Sequence, residues 1–168
     1  MPSRHRARRL SLQGLCCLDA QGPKGAELVH EFIDDSREGE EVIEAAHVLV
    51  KAAYEDRAEC DRLLARHARH WDLSRLALVD RNILRLAAYE LRFDKAPPKV
   101  VITEAIRLAR EFSTAESPRF VNGVLDAIAK ELKAGGEEDK EKIGRDAGDA
   151  QYEGGGEEEK TEGGDESE

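Results

Sequence analysis

Apolar side chains recur at helical spacing along most of the chain, and no segment shows the two-residue alternation of a β-strand. The clearest case is SPRFVNGVLDAIAKEL, in which Phe120, Val124, Ile128 and Leu132 follow one another every four residues. This spacing places an apolar stripe along one face of a helix of about four turns.

The Asn122-Gly123 pair inside this stripe is also a strong local signal for a β-hairpin turn. Ser117 and Pro118, a capping residue and a proline suited to the first helical turn, favour the helix instead. A glycine inside a helix costs about 1 kcal/mol relative to alanine. We therefore expect Gly123 to lie where a neighbouring helix or a partner chain approaches closely.

The same reading predicts an all-α fold of about seven helices joined by short loops. One long helical stretch is expected to be broken or bent near Asp56, and Asp72 is expected to cap the helix that starts at Ser74. The predicted helices cover about residues 3–20, 26–34, 40–70 with the break or bend inside it, 74–93, 98–112 and 117–134.

Charge divides the chain into a helical domain, residues 1–133, and a tail, residues 134–168. Of the 36 acidic and 26 basic residues, 14 and 4 fall in the tail, which leaves 22 of each sign in the helical domain. The tail is rich in glycine and glutamate and poor in apolar side chains, so we expect it to be disordered. Gly135-Gly136 is expected to end the last helix. The tail is either a passive extension or an acidic segment that folds back on basic residues.

Several classes of protein are disfavoured. The chain has no apolar run of about 18 residues that would span a membrane, and no secretory signal. Its three cysteines lack a CxxC spacing and fit a reducing compartment, so we expect a cytoplasmic protein. No phosphate-binding loop or catalytic motif is present. His67 and His70, three apart, have only Asp72 nearby as a possible third ligand and are expected to be surface or helix-end histidines, so we predict no enzyme, cofactor or metal site.

Basic residues crowd the start of the first helix. Arg4, His5, Arg6, Arg8 and Arg9 lie in a domain without net charge. Cations are unfavourable at a helix N-terminus, so another cause is expected for their presence. Arginine forks pair bidentately with phosphate, which makes this segment a candidate RNA or DNA contact. The alternative is a solubilising basic end, or a partner for acidic neighbours.

Three segments together resemble the NusB family of bacterial transcription antitermination factors. They are RHRARRLSLQGL, VDRNILRLAAYEL and PPKVVITEAIRLAREFSTAESPRFVNGVLDAI, in the family's order and spacing, over residues 4 to about 132. The resemblance implies a NusB-like all-helical fold of two packed halves without catalytic activity. It also implies binding to the boxA element of nascent RNA together with NusE, a ribosomal protein of the small subunit. This occurs in complexes with RNA polymerase and other Nus factors that support ribosomal RNA transcription.

The resemblance also implies site residues. The RNA contacts would be Arg4, Arg6, Arg8 and Arg9, and the partner and RNA surface would include Cys16, Asp80, Glu116 and Phe120. The family commonly has tyrosine where this chain has Cys16, and a thiol cannot stack on a base as an aromatic ring can. The alternative function is a helical homodimeric interaction module without an RNA role.

Overall fold

The computed structural model describes residues 2–68 and 70–149, and within them the chain forms seven α-helices, two short 3-10 helices and no strand. The α-helices are α1 (Pro2–Gln21), α2 (Ala26–Asp34), α3 (Glu40–Glu55), α4 (Arg57–His67), α5 (Leu78–Arg92), α6 (Pro98–Phe112) and α7 (Ser117–Asp149). The 3-10 helices are Pro23–Gly25 and Leu73–Arg75. The predicted all-α class is confirmed, and the Asn122-Gly123 pair lies inside a helix. Among the helices of this described part, none combines the length and apolar character needed to cross a membrane.

The chain divides into two units, Met1–Leu132 and Lys133–Glu168. In the first unit, α1 packs against α2 and α3, and α5 packs against α4 and α6. Contacts of α5 with α1 and α3 join these two halves, so the predicted pair of packed halves is confirmed. The described part of the second unit is the continuation of α7 to Asp149.

The core of the first unit follows the apolar stripes seen in the sequence. The largest fully buried side chains are Leu12, Leu15, Ile33, Leu64, Ile83, Leu84, Leu86, Val101, Leu108, Val121, Leu125 and Ile128. Helix α5 is buried around most of its circumference, as expected for a central helix. Its two ends therefore have fixed positions relative to the surrounding helices.

Two glycines inside helices have opposite surroundings. A Cβ atom added at Gly14 would lie 2.9 Å from Cγ1 of Val29 on α2 and 2.9 Å from Cγ2 of Val50 on α3. A Cβ atom added at Gly123 would meet nothing within 4 Å. The expectation that a neighbouring helix approaches Gly123 is therefore wrong. The close helix approach occurs at Gly14, where α1 meets α2 and α3.

Alanine at Gly14 is expected to destabilise the protein. Overpacking a core costs about 1–3 kcal/mol, and the better helix propensity of alanine returns up to about 1 kcal/mol. The free energy of unfolding should therefore fall by up to about 2 kcal/mol, measured by urea denaturation followed by circular dichroism. Gly123→Ala is the matched control, since its methyl group enters open space, and it should stabilise by about 0.5–1 kcal/mol. Equal stability of the two variants would contradict the tight contact at Gly14.

The start of α5 differs from the prediction. Asp72 Oδ1 accepts a hydrogen bond from the backbone N–H of Ser74 at 2.9 Å, and so caps the 3-10 helix rather than α5. The backbone then extends at Leu76, and α5 begins at Leu78. An aspartate that closes a local turn two residues on is satisfied without an α-helix, which explains the shift.

The end of α7 also differs from the prediction, because Gly135 and Gly136 do not end the helix. Among the glycines of the described residues, only Gly22 has a positive φ, at 71°. Glycine ends a helix when it takes the left-handed conformation, which neither of these residues adopts. Strong helix formers flank them on both sides in the sequence (KAGGEE), and the helix continues to Asp149. Disorder was predicted for residues 134–168; of these, residues 134–149 are helical in the structure, and residues 150–168 lie outside the described part of the chain.

Candidate functional site

Arg8 is buried in an ion pair rather than exposed at the start of α1. Arg8 is 5% exposed, and Glu90 on α5 is 6% exposed. Arg8 Nε donates to Glu90 Oε1 and Oε2 at 3.1 and 3.0 Å, and Nη2 donates to Oε1 at 2.9 Å. Arg8 was predicted among the RNA-contacting arginines, but in the structure it is almost fully buried and joins α1 to α5.

Two further basic residues of α1 meet acidic residues of α6. His5 Nδ1 lies 2.6 Å from Glu104 Oε2, and Arg9 Nη2 lies 2.7 Å from Glu111 Oε1. The Arg9 guanidinium is also 5.6 Å from the centroid of the Phe112 ring. These contacts supply a cause for the basic residues at this helix start, because acidic partners on other helices offset their unfavourable position.

The remaining arginines of α1 face other neighbours. Arg6 Nη1 pairs with Glu38 Oε2 at 2.9 Å, ahead of α3, and about half of the Arg6 side chain is exposed. Arg4 is exposed and lines a shallow cavity of about 220 Å³ with Glu41 and Lys95. The four arginines predicted as one basic site therefore point in different directions around α1. The Arg9 side chain packs against the C-terminal end of α6.

Three of the four residues predicted for the partner surface meet in one open groove of about 880 Å³. Asp80 from α5, Glu116 from the turn before α7 and Phe120 from the start of α7 all line it. The groove also receives residues from the end of α4 and from the connection between α4 and α5. Gly123 lies in its wall, so the Cβ-free face of α7 opens into the groove.

Aromatic and arginine side chains that were not predicted as site residues also line this groove. Trp71 is 59% exposed, and its ring centroid lies 5.5 Å from that of Phe120 in an edge-to-face arrangement. Arg75 and Arg119 are exposed in the same groove. Trp71 and Arg75 lie in the α4–α5 connection, where no periodicity marks them, and the one signal was that Trp71 is the sole tryptophan in the chain.

Asp80 joins α5 to the turn between α6 and α7. Its Oδ1 accepts a hydrogen bond from Ser113 Oγ at 2.6 Å, and its Oδ2 accepts one from Ser117 Oγ at 3.0 Å. Both carboxylate oxygens are therefore used to hold the start of α7 against the start of α5. This position makes Asp80 a residue that shapes the groove.

Cys16 is separate from the groove. Its Sγ lies 4.0 Å from the carbonyl oxygen of Leu78, beside the first turn of α5. Burial, with a further contribution from the Asp19 carboxylate, raises the pKa of the Cys16 thiol to about 11, so the thiol is neutral at physiological pH. Of the residues predicted for the partner surface, Cys16 is the one that the structure does not bring to the groove.

A second groove, of about 670 Å³, adjoins the first. The two share Thr114, Ala115 and Arg119, and the second also contains the exposed Arg110 near the end of α6. Arg110 precedes Glu111, the partner of Arg9. Arg110 and Arg119 therefore line the second groove together, and Arg119 also lines the first groove.

These features define a small all-α protein whose open groove presents aromatic rings beside arginines. The NusB family model matches residues 5–130, and the chain belongs to this family. The transcription antitermination protein NusB of Solibacter usitatus (strain Ellin6076) is 43% identical over 134 residues, which cover 79% of this chain and 92% of that protein. The resemblance drawn from the sequence is thus confirmed.

Solved structures of NusB proteins are similar to this chain. T. maritima NusB superimposes with a TM-score of 0.70 at 39% identity, over 76% of this chain and 91% of that chain. A crystal structure of the antitermination factors NusB and NusE in complex with dsRNA contains a chain with a TM-score of 0.70 and 32% identity, over 77% of this chain and 98% of that chain.

Proposed function

We propose that this protein is a transcription antitermination factor that binds boxA-type single-stranded RNA together with NusE and supports transcription of ribosomal RNA. It acts in the cytoplasm, within an elongation complex of RNA polymerase and other Nus factors, and it performs no catalysis. Membership of the NusB family supports this proposal, as does the related NusB that was crystallised with NusE and dsRNA.

The groove beside α7 is the observation that carries the proposal. Sequence-specific recognition of RNA usually targets unpaired bases, which stack on aromatic rings or on arginine planes. Trp71 and Phe120 offer adjacent aromatic rings, and Arg75 and Arg119 offer cations in the same groove. This combination suits a single strand whose bases enter the groove while its phosphates follow the arginines.

The arginines of α1 have different roles in this proposal. Arg9 lies against the C-terminal end of α6, where it pairs with Glu111 and contacts the Phe112 ring, and we assign it a contact with the RNA backbone beside the two grooves. Arg4 and Arg6 supply outer phosphate contacts, since both are exposed. Arg8 is excluded from the RNA surface because its guanidinium is enclosed with Glu90.

The protein partner is assigned to the same end of the molecule. Glu116 is exposed at the start of α7, and Gly123 leaves space for a partner backbone to approach the helix. Phe120 lies between them and serves both surfaces. Cys16 and Asp80 contribute indirectly, through their contacts at the first turns of α5.

Fluorescence anisotropy with labelled boxA-type RNA tests the proposal, using a scrambled RNA and a duplex RNA as controls. We expect tight, sequence-dependent binding only when cognate NusE is present. Arg9→Ala should weaken this binding and lower the slope of log affinity against log salt by about 0.7, since one phosphate contact is lost. Arg62→Ala is the matched control, because Arg62 is an exposed arginine on α4 that pairs with Glu59 and lines neither groove.

Equal affinity for boxA-type and scrambled RNA, with and without NusE, would overturn the RNA assignment. Light scattering on the same samples addresses the alternative of a homodimeric interaction module. A dimer that does not respond to NusE would favour that alternative.

A further inference from the structure

Two histidines and an aspartate converge on the surface formed by α2 and α3, where they line neither groove. His30 Nδ1 lies 3.0 Å from Asp34 Oδ2, and His47 Nε2 lies 2.7 Å from Asp34 Oδ1. The two imidazole centroids are 4.3 Å apart. One ligand atom from each of the three residues lies within 4.8 Å of the other two.

The backbone holds this cluster in place. His30 and Asp34 are one turn apart on α2, and His47 projects from the neighbouring α3, which packs against α2. Each of the three residues directly follows a buried core residue in the chain: Val29, Ile33 and Ala46. The cluster therefore stands on two anchored helices rather than on a loop, which favours a reproducible ligand geometry.

We propose that His30, Asp34 and His47 form a binding site for one Zn²⁺ ion or a similar divalent transition metal. Two imidazole nitrogens and one carboxylate oxygen are ligands that zinc accepts, with a fourth position left to water. Ligand atoms about 2.0–2.2 Å from a tetrahedral zinc ion lie roughly 3.3 Å from one another. The three ligand atoms all lie within 4.8 Å of one another, which is close to this value, and the exposed His30 leaves the fourth position open to solvent.

The site would join α2 to α3 across the turn that connects them. A metal bound to the folded state alone raises apparent stability by mass action.

The sequence indicates two of the three metal ligands, because a histidine and an aspartate four residues apart share one helix face. His47 could not be assigned from spacing, since it belongs to the next helix. The site involves neither RNA nor NusE, so its test is independent of the proposed function.

The test is a titration of Zn²⁺ into the full chain, produced without a histidine tag, by isothermal titration calorimetry. Co²⁺ serves as a second probe, because its visible absorption reports a low-coordinate site. We expect one ion per chain and an increase in melting temperature with Zn²⁺. His30→Gln and His47→Gln should each weaken Zn²⁺ binding roughly tenfold or more, because each removes one of three ligands.

The controls separate this site from other metal binding. His67→Gln removes a histidine that pairs with one carboxylate, Glu131, and should leave the affinity for Zn²⁺ unchanged. Asp34→Asn provides a second test that keeps both imidazoles, and it should also weaken binding. Absence of Zn²⁺ binding by the unmodified chain would overturn the proposal. Affinity that survives in the His30→Gln/His47→Gln double variant would do the same.

Discussion

Replacing Arg8 with alanine should lower the free energy of unfolding by about 3–5 kcal/mol, because it leaves a buried carboxylate without its partner. Glu90 is 6% exposed and accepts three hydrogen bonds from the Arg8 guanidinium. Without them, the buried carboxylate keeps its cost of desolvation and has lost the guanidinium that offset it. Urea denaturation of the two proteins measures the difference.

Two comparisons make this prediction specific. Arg6→Ala removes an arginine of the same helix that is half exposed, and it should cost no more than about 1 kcal/mol, as for other surface pairs. The double variant Arg8→Met/Glu90→Leu replaces the buried pair with apolar side chains, which is often neutral or stabilising, so it should recover much of the lost stability. A loss for Arg8→Ala no larger than that for Arg6→Ala would contradict the structural role of Arg8.

Removing the aromatic surface of the groove should reduce RNA affinity by the largest factor of any exposed substitution. Stacking of a base on an aromatic ring contributes about 1–3 kcal/mol, so Trp71→Ala and Phe120→Leu should each weaken the RNA complex roughly 5- to 150-fold. Leucine is used at Phe120 because this side chain packs partly against the core. Anisotropy with boxA-type RNA and NusE measures both effects.

Phe93→Leu is the matched control for the aromatic variants. Phe93 is 49% exposed at the end of α5, about 20 Å along the helix from Asp80, and its replacement should leave RNA affinity unchanged. Salt dependence separates stacking from charge, because the aromatic variants should lose the same factor at low and high salt. The loss in Arg9→Ala should shrink as salt increases. Unchanged affinity in both Trp71→Ala and Phe120→Leu would exclude the groove as the base-binding surface.

The helices could be predicted from the sequence because their signals are local and repeated. The stripe through Phe120 and Val124 outweighed the Asn122-Gly123 pair, and the break near Asp56 was visible as a change in pattern. The errors came from single residues with two possible local structures. Asp72 can cap an α-helix or a short turn, and Gly135 ends a helix only in the left-handed conformation.

The candidate site was only partly predictable, because its geometry depends on contacts that are distant in the chain. Asp80 and Phe120 were predicted as site residues and line one groove, whereas Trp71 lies in a connection that has no repeating pattern. Arg8 had the appearance of a surface cation, because its neighbours in sequence are also arginines. Its partner, Glu90, is 82 residues away, and no local pattern indicates a pairing over that distance.

The ion pairs between α1 and the later helices also bear on the order in which the protein is made. A ribosome completes α1 before any of its acidic partners exists, since Glu90 follows Arg8 by 82 residues and Glu104 follows His5 by 99. At synthesis rates of about 5–20 residues per second, this interval is on the order of 4–20 seconds. Every nascent chain therefore carries His5 and Arg8 without Glu104 and Glu90 during that time.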